Sequence, residues 1–239
     1  FASQRIKALI QEKVDWIFMR EDHELCTYEK FHKAKITFFL AAMRNYAQEV
    51  GKDFQVHYEK LNDKSISSYE ESLIEFIKTK KISKVYFFEI EDKFFEKRIK
   101  KALKQAEVDA LEEKISFFFT SREKLKEMLS SKKPFMKTFY EKRRKDLKIL
   151  LTKTGEPVGG RWSFDSENRR ALPTKIDIPE IPRFEVNSHL RDVLNLVEKE
   201  FSQHPGGLDQ FWLPTKRQEA QKFLEVFLEK RFSNFGPYE

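Results

Sequence analysis

Lys84-Val85-Tyr86-Phe87-Phe88-Glu89-Ile90, followed by Glu91 to Ala106, decides the fold. The first stretch is a short, β-branched and aromatic run suited to a buried strand. The second carries Phe94, Phe95, Ile99 and Leu103 on one side of a helix that is otherwise basic. Strand then helix is the unit of a parallel sheet, and the same alternation extends in both directions. Upstream, Val14 to Met19 reads as a strand, Tyr28 to Gln48 as a helix through Ile36, Phe39, Leu40, Met43 and Ala47, and Gln55 to Lys60 as a strand. Ser68 to Thr79 reads as a helix with Leu73, Phe76 and Ile77 inward and Ser67 or Ser68 as its N-cap. Downstream, Lys114 to Phe119 is expected to close the series, and Phe1 to Leu9 to be a helix following a strand that this sequence lacks.

Such alternation predicts a parallel sheet covered on both faces by right-handed crossovers, an α/β, Rossmann-like doubly wound fold of about five strands. Val85 to Phe88 is its expected central strand. Ligands of these sheets sit beyond the carboxyl ends of the strands. That edge is where Arg20-Glu21-Asp22-His23-Glu24 follows the strand ending at Met19. The sequence has no Gly-x-Gly-x-x-Gly, which argues against an ordinary dinucleotide unit.

From about Ser121 the alternation stops. Ser121 to Leu129 and Pro134 to Leu151 read as helices. Thr152 to Phe184, with Pro157, Pro173, Pro179 and Pro182, reads as an extended connector. Asn187 or Ser188 is expected to cap a helix running to Phe201, and Thr215 one running to Phe232. The expected division is residues 1–130 for the α/β domain, 131–186 for the connector and 187–239 for the opening of a helical domain. Two helices are too few for an independent core.

Lys and Arg outnumber Asp and Glu by 46 to 39, a formal charge of +7, and hydrophobic residues make up 40% of 239. The basic excess gathers at Lys132, Lys133, Lys137, Lys142, Arg143, Arg144, Lys145 and Lys148, interleaved with Phe135, Phe139 and Tyr140. That pattern suits either a phosphate backbone or a solvated helix face with its rings turned inward. A single cysteine, Cys26, rules out an internal disulfide and fits a reducing cytosol. His23, His32, His57, His189 and His204 show no metal-ligand spacing. Serine-hydrolase and phosphate-loop motifs are absent. No apolar run is long enough for a transmembrane helix.

Gly159-Gly160-Arg161-Trp162-Ser163-Phe164-Asp165-Ser166-Glu167-Asn168-Arg169-Arg170 lies inside the connector. From its residues alone it is a glycine-started loop pinned by two aromatics. It also resembles a Gly-Gly-Arg/Lys-Trp-Asn-Phe-Asp-x-Glu-Asn-Arg signature of the deoxyribodipyrimidine photolyase-related proteins. That prokaryotic photolyase–cryptochrome group includes six-four photolyases with an iron–sulfur cluster. Ser163 stands where Asn is usual. The resemblance extends to Thr27 through Ile36 leading into Ala41-Ala42-Met43-Arg44, to Phe139-Tyr140-Glu141-Lys142-Arg143-Arg144, to Pro214-Thr215-Lys216-Arg217 and to Phe232 through Glu239.

The resemblance implies the amino-terminal part of a light-dependent DNA-repair flavoprotein. In that family reduced FAD passes an electron to a flipped-out pyrimidine photoproduct. It implies that FAD and a 4Fe-4S cluster are held beyond Glu239, since four thiolates are needed and this chain has one. It implies a ribityl-lumazine antenna near Glu21, Asp22, Glu24 and Tyr28, with Phe39 close to the chromophore space. It assigns Arg161, Asn168, Arg169, Arg143 and Arg144 to damaged double-stranded DNA, and Asp165 to positioning or to the lesion. Asp165 and Arg169, four apart, are expected to pair on a helical turn. A monomer in the prokaryotic cytosol, inactive as this piece alone, completes the expectation. A cryptochrome-type photoreceptor and a bare α/β binding module remain the alternatives.

Overall fold

The computed structural model describes residues 14–61, 67–114, 118–130, 135–176 and 178–238. The expected first helix over Phe1 to Leu9, together with Lys132 and Lys133, lies outside them.

Strand β1 (Trp16–Arg20) pairs in parallel with β2 (Gln55–Glu59), Trp16 opposite Gln55 and Arg20 opposite Glu59. Strand β3 (Lys84–Phe88) pairs in parallel with β4 (Asp109–Glu113), Lys84 opposite Asp109. The last strand thus starts before Lys114, earlier than the aromatic run suggested. Asp109-Ala110-Leu111-Glu112-Glu113 is too polar to announce itself, and its pairing with β3 decides the matter. Residues 115–117 of the expected strand are not described.

Helices connect the strands. A short α1 (His23–Thr27) and the long α2 (Lys33–Val50) join β1 to β2. Helix α3 (Tyr69–Thr79) joins β2 to β3, and α4 (Lys93–Gln105) joins β3 to β4. Their starts are written in the sequence. Ser68 and Glu71 form a reciprocal capping box on α3, and the Asp92 carboxylate accepts from the Phe94 and Phe95 amides of α4. Both helices are followed by left-handed residues, Lys81 at φ 52° and Glu107 at φ 52°, before the chain enters the next strand.

Two apolar clusters hold these elements. In one, Leu73 and Ile77 of α3 meet Ile99, Ala102 and Leu103 of α4, with Phe18 of β1 and Val85 and Phe87 of β3 against them. In the other, Ile36, Leu40 and Ala41 of α2 meet Leu190, Val193 and Val197 of α7 (Ser188–Glu200), closed by Phe201 and Leu208. Asn187 caps α7 through its side chain and also donates to Asn45 of α2 at 3.0 Å. Asn45 in turn donates to the Thr215 hydroxyl at 3.1 Å. The Glu219 carboxylate accepts from the Thr215 and Lys216 amides ahead of α8 (Arg217–Lys230). Gly206 allows a close approach here: at φ +86°, a Cβ on it would fall inside the His32 ring.

Residues 14–115 and 180–226 form one compact unit, and residues 116–179 and 227–239 another. The second contains α5 (Arg122–Leu129), α6 (Met136–Leu147), most of the connector and α9 (Phe232–Tyr238). From 152 to 184 the described connector has neither helix nor strand, only a bridge between Leu151 and Pro157.

Candidate functional site

The carboxyl ends of β1 and β2 open onto a cleft of about 570 Å³, within the range of small-molecule sites. Three segments line it: Arg20 to Glu24 after β1, Glu59 to Leu61 after β2, and the first turns of α3 at Ser68, Glu71, Ser72 and Glu75. This is the edge to which the strand pattern assigned ligands.

Its groups differ in how far they are already committed. Glu21 is 2% exposed. It accepts from Arg44 Nε at 2.6 Å and Nη2 at 2.9 Å, from the Tyr58 hydroxyl at 2.7 Å and from the Leu61 amide at 2.9 Å. Burial, then the Glu21 charge, pushes the Tyr58 hydroxyl well above its usual range, so it stays a donor. Glu21 is a fixed anchor that ties β1, α2 and the end of β2. Asp22 caps α1, accepting from the Leu25 amide at 2.8 Å. Glu24 lies on the rim, 3.1 Å from Arg98. Arg98 is the hub of this side, gripping Glu70 through Nε at 2.6 Å and Nη2 at 2.8 Å. Tyr28, 53% exposed, reaches Asp92 at 3.4 Å and is not among the lining residues. Phe39, 54% exposed, packs edge-on against Phe38 and does not line the cleft either. The cleft thus gathers Glu21, Asp22 and Glu24 and leaves Tyr28 apart.

The floor is a node the sequence did not reveal. Glu59 accepts from Ser72 Oγ at 2.5 Å, contacts His57 Nε2 at 2.9 Å and pairs with Arg20 Nη1 at 2.5 Å. Burial pushes the Glu59 carboxyl upward, but the bonds from Ser72, His57 and Arg20 outweigh it and hold it below the ordinary value of 4.5. Arg20 also donates to the Ser67 carbonyl at 2.5 Å, while its buried Nε has no partner among the described residues. His57 and Glu59, two apart in β2, share one face of the strand. No sequence signal linked them to Ser72.

Exposed carboxylates at Glu24, Glu71 and Glu75 suit the hydroxyls of a polyol such as a ribityl chain. Among the lining residues there is no phenylalanine, tyrosine or tryptophan, and the one ring, His23, is already stacked against Phe201. The chain does not fit an iron–sulfur cluster. Its one thiol, Cys26, cannot supply the four thiolates such a cluster needs, and burial, then Asp22 and Glu21, push that thiol up to about 12. Among the described residues no histidine, cysteine and carboxylate group could hold a metal ion.

The connector is built around Arg144, which is 6% exposed. Its guanidinium donates to the carbonyls of Trp162 at 3.1 Å, Leu150 at 2.5 Å and Ile149 at 3.4 Å. It lies 5.0 Å from the Trp162 ring and 5.5 Å from the Tyr140 ring. Lys148 and Leu150 are left-handed, at φ 54° and 52°, and the grip of Arg144 holds this uncommon backbone. Gly159, at φ +82°, lies under Phe164: a Cβ there would be 2.5 Å from Cζ. Arg161 stacks on Phe164 at 4.5 Å and forms an ion pair with Glu167. Asp165, Asn168 and Arg169 follow in turns and bends, not on a helical turn. Arg169 is itself left-handed at φ 58°, so Asp165 and Arg169 do not have the helical spacing the sequence suggested. Arg143 donates to the Phe119 carbonyl at 2.6 Å and pairs with Asp146 at 3.0 Å. Arg161, Asp165 and Arg169 are exposed, whereas Arg144 is spent on the loop itself.

The profile of the deoxyribodipyrimidine photo-lyase-related proteins matches residues 2–213. The chain belongs to that family. It is 27% identical over 237 residues to the "(6-4) photolyase" of Agrobacterium fabrum (strain C58 / ATCC 33970), an alignment covering 95% of this chain and 45% of that protein. The chain therefore spans less than half the length of that curated relative.

Proposed function

We propose that this chain is the amino-terminal portion of a light-dependent DNA-repair flavoprotein acting on a pyrimidine photoproduct, the six-four type being the first to test. The family match over residues 2–213 carries this reading. In it, residues 1–130 form a doubly wound α/β domain, 131–186 a connector and 187–239 the opening of a helical flavin-binding domain. Among the described residues β1–β2 and β3–β4 are two separate parallel pairs; their union in one sheet belongs to this reading, and the packing of Phe18 of β1 with Val85 and Phe87 of β3 in a single cluster under α3 and α4 supports it. Supporting coverage of the opposite face, α2 packs in a separate cluster with α7.

FAD and a 4Fe-4S cluster belong, in this reading, to parts of the protein outside this chain. FAD supplies the electron that no side chain can. The residues here bind and position. Arg161, Asn168, Arg169 and Arg143 meet the phosphates of damaged duplex DNA. Asp165 holds the connector at the lesion, which flips out cheaply because it stacks poorly. Arg144 sets the loop from behind. Glu24, with Glu21 and Asp22 fixing its surroundings, takes the hydroxyls of a ribityl antenna, and Tyr28 stands at its outer edge. The protein acts as a monomer in the prokaryotic cytosol.

Illumination of the full-length, flavin-reduced protein with an oligonucleotide carrying one six-four photoproduct tests the reading. Restored pyrimidines are expected, and Asp165→Ala should lower their yield per bound flavin. Flavin binding without repair of six-four or cyclobutane lesions would overturn it.

A further inference from the structure

Helix α4 carries a basic surface of its own. Lys93, Lys97, Lys101 and Lys104 fall within a sector of roughly 80° at 3.6 residues per turn, and all are exposed. Lys100, on the edge of this sector, is answered by Glu96 at 2.6 Å and Glu112 at 2.9 Å. Among the described residues no carboxylate lies within ion-pair distance of the other lysines. Glu70 lies near Lys101 but is gripped by Arg98. Like charges four apart on a helix repel, and this face carries Lys93, Lys97 and Lys101 at that spacing with no acid among them.

The opposite face of α4 decides the class of partner. Ile99, Ala102 and Leu103 are buried against Leu73 and Ile77. A helix that lies in a membrane surface inserts its apolar side, and here that side is already used by the core. One exposed ring, Phe94 at 77%, remains. A partner recognised by charge alone is what the face fits. From Lys93 to Lys104 the helix rises about 16 Å, the length of about five base-pair steps along a duplex axis.

We infer that the lysine face of α4 is a contact for duplex DNA backbone that reads neither sequence nor lesion. The choice of DNA rests on the proposed function. Such a contact would raise the local concentration of undamaged DNA at the protein and allow it to slide or hop in search of damage.

The test measures binding of the full-length protein to an undamaged duplex across a series of salt concentrations. Wild type is compared with a Lys93→Gln, Lys97→Gln, Lys101→Gln, Lys104→Gln variant and with the corresponding arginine variant. Each lost phosphate contact removes about 0.9 from the slope of log K against log salt. The glutamine variant is expected to lose at least about two units of slope, while the arginine variant keeps it. A smaller drop overturns the inference, as does loss of binding to phosphatidylserine vesicles with the DNA slope retained. Lesion repair at saturating protein is read separately. A slope change in a protein that repairs nothing would sink the proposed function and leave this surface standing.

Discussion

Arg144 makes its bonds where the sequence suggested a phosphate contact. A run such as Glu141-Lys142-Arg143-Arg144-Lys145 shows its charge but not which guanidinium turns inward, because that depends on carbonyls presented up to 18 residues away. Arg144→Met would keep the stem and strip the fork, leaving the carbonyls of Ile149, Leu150 and Trp162 without it. A loss of about 2–4 kcal/mol of local stability is expected, seen as faster hydrogen exchange at the amides of Val158 and Gly160. Arg144→Lys should not restore protection, since an ammonium cannot bridge several carbonyls as the planar fork does. Cys26 is half-buried. With the thiol raised from 9.0 to about 12, folding favours the protonated form. Its contribution to stability is therefore complete below about pH 9 and is lost as pH rises toward 12. Slow reaction with a thiol reagent at neutral pH, accelerating on unfolding, is the expected result.

The elements were legible wherever a local signal marks them. Ser68 ahead of α3 and Asn187 ahead of α7 are caps recognisable within a few residues, whereas the Asp92 cap falls inside the helix expected from Glu91. Strand β4 was not, because Asp109 to Glu113 has no apolar alternation and owes its place to β3. The cleft's location followed from strand order, but the node that closes its floor needed three elements to meet at Glu59. That node predicts how the β1–β2 end behaves in acid. The folded carboxyl titrates below its ordinary value of 4.5, so its stabilisation is present above that pH and disappears as pH falls through the folded value. Glu59→Gln should melt below wild type at neutral pH, and the gap should close as the buffer is taken below about pH 4.5. A gap that stays constant down to the acid limit would mean the carboxylate's charge contributes nothing there.

At the scale of the whole molecule, sequence order and packing order diverge. The connector ends before Asn187, and a reader of the sequence divides the chain there. Yet α7 completes the core of α2: Leu190, Val193, Val197 and Phe201 are each 6% exposed or less and pack in the cluster of Ile36, Leu40 and Ala41. Asn187 reinforces the contact through Asn45, which also holds Thr215. Burying four such side chains contributes about 6–12 kcal/mol at about 1.5–3 each. Whole domains are stable by only about 5–15 kcal/mol. A chain ending at residue 186 should therefore lose its cooperative thermal transition and bind a hydrophobic dye. A chain ending at residue 213 keeps α7, Phe201 and Leu208 and should melt cooperatively. If the shorter chain melts as sharply as the longer one, the α/β elements hold together without α7, and the division at 187 is physical as well as sequential.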